Sequence, residues 1–104
     1  MRGDVVHLKA PRHTKGHEQQ GARFAVILQS DDLMLSTLLI APTSRSAPTR
    51  QFRPPITIAG DTTRVLVDQS TAVAPERLGP LVGHVSRNEL DAINDALRLV
   101  LELD

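Results

Sequence analysis

Residues 16 to 30, Gly16-His17-Glu18-Gln19-Gln20-Gly21-Ala22-Arg23-Phe24-Ala25-Val26-Ile27-Leu28-Gln29-Ser30, run from a polar, glycine-flanked segment directly into an apolar one. Phe24 to Leu28 are five consecutive apolar residues, bounded by Gly21 before them and by Ser30, Asp31 and Asp32 after them. An unbroken apolar run of strand length, without the alternation of a half-exposed strand, is the profile of a strand covered on both faces. Arg23 then stands at the mouth of that strand, with Glu18 across one short turn from it. An acid and a base placed by a loop and anchored to a rigid strand are how binding and catalytic groups are commonly held. The alternative is an exposed ion pair of little energetic weight.

Outward from this stretch the chain reads as short strands. Val5 to Leu8 form a first strand close to the N-terminus. Residues 9 to 22, with Pro11, Gly16 and Gly21 and no apolar periodicity, read as a long loop, and long loops in compact domains tend to serve function. His13 and His17 lie on it, but i, i+4 spacing on a loop fixes no ligand geometry, so no metal site is expected. After the strand at 24 to 30, Thr37 to Ala41 form the next, with Pro42, Thr43 and Ser44 expected to close it because proline cannot donate to a central ladder. Residues 45 to 55 are a basic, proline-rich connection holding Arg45, Arg50 and Arg53. Ile56 to Ala59 and Thr63 to Asp68 read as strands, with Gln69 to Val73 continuing the latter past a bend. Pro75 to Leu78 suggest a one-turn helix, and Leu81 to Val85 a last strand.

Ser86 and Glu89 have the spacing of a capping box, so a helix is expected to start there. Leu90, Ile93, Leu97, Val100 and Leu101 make one apolar stripe, with Arg87, Asp91, Asn94, Asp95, Arg98 and Glu102 on the other side. Several short strands followed by one helix, without βαβ alternation, point to a mainly β fold, a compact antiparallel barrel with a C-terminal helix.

The 104 residues suffice for a single domain, 1–104, with a modest core, so folding stability of roughly 5 to 15 kcal/mol is expected, which dimerisation would raise. The absence of cysteine excludes a disulfide framework and cysteine-ligated zinc, and suits a reducing compartment. No apolar run approaches the ~18 residues of a membrane span, and Met-Arg-Gly-Asp has no secretory character, so a soluble cytoplasmic protein is expected.

The zero net charge divides unevenly. Residues 1 to 58 carry eight Lys or Arg and four acids, and residues 59 to 104 carry four and eight. Ten of the twelve bases are arginine, whose planar fork of donors fits phosphate. An anionic partner for the first part of the chain is therefore expected, through the loops that carry Lys9, Arg12, Lys15, Arg45, Arg50 and Arg53. With only Phe24 and Phe52 as aromatics, a base-stacking platform is not.

Several local patterns occur in order over essentially the whole chain. They are Arg2-Gly3-Asp4-Val5-Val6, Gly16-His17-Glu18-Gln19 followed by Arg23 before an apolar strand, Ala41-Pro42-Thr43-Ser44, Val67-Asp68-Gln69, Arg77-Leu78-Gly79 and Gly83-His84-Val85-Ser86 before a last helix. Together they resemble the MazF/PemK family of toxin ribonucleases. The resemblance implies an SH3-like barrel, a homodimer, sequence-selective cleavage of single-stranded RNA without a metal or other cofactor, and inhibition by a cognate antitoxin protein whose tail occupies the RNA groove. It implies Arg23 and Thr43 as the catalytic pair, with Glu18 also involved. For RNA contact the candidates, from the family-like patterns and the basic loops together, are Lys15, His17, Gln19, Ser44, Arg45, Arg50, Arg53, Asp68 and Gln69.

The residue types suit that chemistry. Attack by a ribose 2′-OH needs an acceptor for its proton, donors for charge developing on phosphorus, and a proton for the leaving oxygen. Arg23 supplies donors and Thr43 a hydroxyl. Arginine stays protonated near neutral pH, so the base role falls to Glu18, His17, a water, or a strongly perturbed Arg23. The chain departs from the family pattern at Phe24, where proline usually follows the arginine, at Val6, at His17 and at Thr71. A competing reading is a non-catalytic toxin of the CcdB kind, which poisons gyrase from the same barrel, or a protein-interaction module. The Arg23 and Thr43 pair, which such a protein does not need, separates the readings.

Overall fold

The computed structural model describes residues 1–10 and 23–103. Among these residues seven strands, β1 (Asp4–Leu8), β2 (Phe24–Ile27), β3 (Leu38–Ser44), β4 (Pro55–Ile58), β5 (Asp61–Val65), β6 (Thr71–Val73) and β7 (Leu78–His84), precede one α-helix, α1 (Arg87–Leu101). The sheet runs β4-β5-β3-β2-β1-β7, with β6 paired to β3 beside that path. Every pairing is antiparallel. Ile56 and Ile58 of one edge strand share a core cluster with Val5, Val82 and Val85 from the opposite end of the path, which requires the sheet to curl. This is the mainly β, barrel-like architecture with a C-terminal helix that the sequence predicts.

β2 is covered on both faces, as its unbroken apolar run requires. Val26 and Leu28 enter the main core with Ile93 and Ala96 of α1, while Ala25 and Ile27 pack on the other face with Val6, Ile40 and Val73. The strand ends sooner than the apolar run. The amides of Leu28 and Gln29 both donate to the Leu39 carbonyl, which breaks the register just after Ile27.

Three sequence expectations about strands are corrected. β3 continues through Pro42 to Ser44 instead of closing at the proline. Pro42 is the last β3 residue in register with β2, opposite Ala25, and its carbonyl accepts from Leu66 at 2.8 Å. From Thr43 onward the partner is β5. The proline thus sits where the strand changes neighbours and is used as an acceptor. Second, β5 stops at Val65, and Val67–Gln69 form a 3-10 turn closed by Ser70 Oγ, which donates to the Val67 carbonyl at 2.7 Å. β6 is a separate strand that returns to β3 rather than a continuation of β5. Third, β7 starts at Leu78, three residues earlier than expected. Its register against β1 shifts twice, next to Gly79, Pro80 and Val82, and such bulges with an edge proline blur strand periodicity.

The capping box forms as expected. Glu89 N–H donates to Ser86 Oγ at 3.1 Å and Ser86 N–H donates to Glu89 Oε1 at 2.8 Å. The same Glu89 accepts at its other oxygen from the Thr57 amide, so the cap also ties α1 to β4. Ile93 and Ala96 are the fully buried helix residues, with Leu90 and Leu97 partly so. Val100 and Leu101, at the end of the apolar stripe, are exposed.

Gly3 is required by its surroundings. Its φ is +92°, and a Cβ there would lie 3.0 Å from the His84 ring. Its amide donates to Ile27 and its carbonyl accepts from Val85, fastening the N-terminus between β2 and the entry to α1.

Candidate functional site

β1 and β2 lie side by side, and Arg23 is positioned where β2 begins. Its carbonyl accepts from the Leu8 amide at 2.9 Å, so the backbone at Arg23 is held by the last residue of β1. One residue on, Phe24 is opposite His7, with ring centroids 5.0 Å apart. Phe24 packs against the main cluster.

Arg23 opens onto a cavity of about 260 Å³ lined by Leu8, Lys9, Arg23, Pro42, Gln69, Thr71 and Arg77. The described lining carries three cations and no acid, so it attracts anions. Leu8 and Pro42 give it an apolar wall, and Gln69 and Thr71 add hydrogen-bonding groups. Two segments far apart in the chain are locked together at its rim. Lys9 N–H donates to the Arg77 carbonyl at 2.8 Å, and Arg77 Nε and Nη2 both donate to the Lys9 carbonyl, at 3.0 and 2.9 Å.

Of the residues expected from the sequence, Arg23, Gln69 and the loop cation Lys9 line this cavity. Thr43 is buried behind it, and its hydroxyl donates to the Phe24 carbonyl at 3.2 Å. Ser44 Oγ lies 3.4 Å from Ser46 Oγ and accepts from the Ser46 amide. The arginines of the 45–55 connection do not converge on the cavity. Arg45 pairs with Asp61 at 3.0 Å, both largely exposed, and Arg50 donates to the carbonyl of Thr49. Arg53 and Asp68, both expected at the RNA, pair with each other, and the hydrogen bonds from Arg53 hold the Asp68 carboxyl below the usual carboxylate range against the opposing effect of burial. Lys15, His17, Glu18 and Gln19 lie outside the described residues, as does His13.

The sequence reading did not place Lys9, Thr71, Arg77, Leu8 and Pro42 together at one site. Lys9 and Arg77 are 68 positions apart, and nothing in local spacing announces that they meet. The available signal was positional, since Arg77-Leu78-Gly79 already belonged to the ordered set of family-like patterns.

A family model, described as PemK-like, MazF-like toxin of type II toxin-antitoxin system, matches residues 1–101. The chain belongs to this family of toxins. A candidate toxin of Mycobacterium tuberculosis strain H37Rv is 32% identical to the chain over 104 residues, spanning 99% of the chain and 98% of the relative. Among solved structures, a mycobacterial endoribonuclease in complex with its cognate antitoxin superposes with a TM-score of 0.79 at 19% identity, covering 100% of this chain and 96% of that one. The Mycobacterium tuberculosis toxin MazF-mt6 gives 0.78 at 16% identity, with 97% and 98% covered. MazF from Deinococcus radiodurans gives 0.75 at 21% identity, with 97% and 94% covered. At these identities the structural likeness establishes the MazF fold. Among the described residues no helix is long and apolar enough to cross a membrane.

Proposed function

We propose that this MazF/PemK-family toxin is a metal-independent endoribonuclease that cleaves single-stranded RNA at the Arg23 cavity. The observation that carries the reading is the placement of Arg23, held by β1 at the mouth of a cavity whose described lining holds Lys9 and Arg77 and no acid. The cavity has room for a phosphate with its sugar rather than for folded RNA. In the reaction the ribose 2′-oxygen bonds to phosphorus as the bond from phosphorus to the 5′-oxygen breaks. The proton leaves the 2′-hydroxyl, and the departing 5′-oxygen gains one. Arg23 donates to the non-bridging oxygens as charge grows there, and the cations Lys9 and Arg77 add to that stabilisation.

Thr43 contributes its hydroxyl, which in the resting chain fixes the Phe24 carbonyl next to Arg23. Glu18, suggested by the family pattern, is the candidate acceptor of the 2′-OH proton. Gln69 and Thr71 offer the hydrogen-bonding groups for the nucleotide that follows or precedes the cut. Lys15, His17, Gln19, Ser44, Arg45 and Arg50 are proposed to guide the strand toward the cavity.

The same reading supplies partners. The toxin works as a homodimer, and its activity is blocked by a cognate antitoxin whose acidic segment competes for the cationic cavity. Support comes from family membership and from the antitoxin-bound mycobacterial neighbour.

The test is incubation of the purified toxin with a mixed single-stranded RNA in EDTA, followed by mapping of the cut ends. Discrete cuts with cyclic phosphate and 5′-hydroxyl ends are expected, and absent with Arg23→Ala. Intact RNA, or equal cleavage by the variant, rejects the reading.

A further inference from the structure

Arg53 and Asp68 face each other rather than the cavity. Arg53 donates from Nε to Asp68 Oδ1 at 3.1 Å and from Nη2 to Asp68 Oδ2 at 2.9 Å, a two-pronged, charge-assisted pair. They are 17% and 26% exposed, against 68% and 62% for Arg45 and Asp61. The rest of Arg53 is also engaged. Its guanidinium carbon lies 5.5 Å from the centre of the Phe52 ring, and Phe52 packs on the main core. Its carbonyl accepts from Arg64 Nη1 at 2.8 Å, and its amide donates to the Arg50 carbonyl at 3.0 Å.

Asp68 is the middle residue of the 3-10 turn Val67–Gln69, and Gln69 lines the cavity beside Arg23. The turn's own bonds are local, from Gln69 N–H to Leu66 and from Ser70 N–H and Oγ to Val67. Val67 is buried in the main core and the Leu66 amide donates to the Pro42 carbonyl, so the turn is seated on the sheet at its N-terminal side, and Asp68 is the next residue toward Gln69. The Arg53 fork supplies a tether from a separate segment that is itself anchored on the core.

We propose that Arg53 is a positioning residue that holds Gln69 in the cavity through Asp68, and is not one of the arginines that grip RNA phosphate. To reach a phosphate Arg53 would give up two charge-assisted bonds. It would also leave a partly buried carboxylate facing the anion, and two like charges at short range repel. The proposal rests on the reading of the cavity as the RNA site.

The experiment compares the full-length toxin with Arg53→Gln, Arg53→Lys, Asp68→Asn and the Arg53→Gln/Asp68→Asn double variant. Three quantities are read: the salt dependence of binding to a 2′-O-methyl RNA that cannot be cut, kcat and KM on a cleavable RNA, and the backbone and side-chain amide resonances of Gln69. A positioning role predicts shifted Gln69 resonances and a fall in kcat on the order of 10- to 100-fold, as misplacement of site groups produces. It also predicts an unchanged salt slope, a double variant no worse than either single one, and Arg53→Lys behaving like Arg53→Gln, because an ammonium cannot make the fork.

A phosphate-gripping role predicts the opposite. Arg53→Gln would flatten the slope of log K against log salt by about 0.7 while Arg53→Lys kept it, Asp68→Asn would tighten binding, and Gln69 would not move. That pattern overturns the proposal. Should Arg53→Gln melt below the assay temperature, Gln69→Ala in the intact frame decides: it must reproduce the kcat loss, and a full-rate Gln69→Ala rejects the proposal. If the unmodified toxin cuts no RNA, the functional reading fails, while the Gln69 resonances still decide the brace.

Discussion

The Thr43 hydroxyl donates to the Phe24 carbonyl at 3.2 Å, and the residue preceding Phe24 is Arg23. Thr43 is buried and does not line the cavity, so in the resting chain it acts on Arg23 through the backbone of β2. Thr43→Val keeps the shape and removes the hydroxyl. It should lower RNA cleavage on the order of 100-fold and cost about 1 kcal/mol of folding stability. Thr43→Ser should retain most of both. Single-turnover cleavage and urea melts of the two variants make the comparison; equal activity of Thr43→Val would remove Thr43 from the mechanism.

Arg23→Ala should abolish cleavage while leaving the fold intact, because Arg23 is an exposed residue lining the cavity and its structural bond is made by the backbone carbonyl. Arg23→Lys should fail nearly as badly, since a point charge does not reproduce paired donors on a phosphate. Circular dichroism alongside RNA gels checks both statements. An unfolded Arg23→Ala would mean that the guanidinium supports the barrel.

Binding of single-stranded RNA should depend on salt through the cavity cations. Lys9→Ala and Arg77→Gln should each flatten the slope of log K against log salt by up to about 0.7. Arg87→Ala and Arg98→Ala, on exposed residues of α1 paired with Asp91 and Asp95, should leave it unchanged. A slope that responds to the helix variants alone would move the RNA groove to the other side of the molecule.

What the sequence disclosed is what local chemistry decides. The unbroken run Phe24 to Leu28 showed a strand buried on both faces because no polar residue interrupts it, and Ser86 with Glu89 showed the start of α1 because the box is a contact within one turn. Pro42 misled because a rule about ladder donors takes no account of a strand that changes partners at the proline. Arg23 was legible through its place in an ordered set of patterns. Lys9 was expected only as one of several loop cations and Arg77 was not assigned to the site, because their meeting is made by the β1 and β7 pairing and not by any spacing. Charge counting placed Arg53 at the RNA, and only side-chain geometry shows that its charge is already engaged by Asp68.

The β4 to β5 hairpin holds an avoidable strain. Ala59 and Gly60 both have positive φ, +50° and +87°, as a tight two-residue turn between Ile58 and Asp61 requires. Alanine at such a position costs roughly 1 to 2 kcal/mol in its folded conformation, part of which glycine returns as unfolded-state freedom. Ala59→Gly should therefore stabilise the toxin by about 0.5 to 1 kcal/mol. Gly60→Ala should destabilise it although a Cβ there meets nothing within 4 Å, which isolates the backbone effect. Chemical denaturation of both variants measures the two signs, and stability unchanged by either would show that the turn is not held in this form.

Acid should weaken the fold through two carboxylates. Asp68 is held below its usual range by hydrogen bonds from Arg53, against burial. Asp4 is pushed up by burial, but His84 at 2.9 Å and the N-terminal ammonium at 3.1 Å outweigh that and bring it down. A carboxyl whose pKa is lower in the folded chain binds fewer protons there than when unfolded. Its contribution is complete above the unfolded value, near 3.8 for both groups, and disappears as pH falls through the lowered folded value. Unfolding free energy should thus be insensitive to these two groups from neutral pH down to about 5 and should fall below about 4. Asp68→Asn, which cannot titrate, should be less stable than the parent at pH 7 and lose less on acidification, so the two curves converge near pH 3 or below. Parallel curves across that range would show that the Arg53 to Asp68 fork carries no pH-dependent stability.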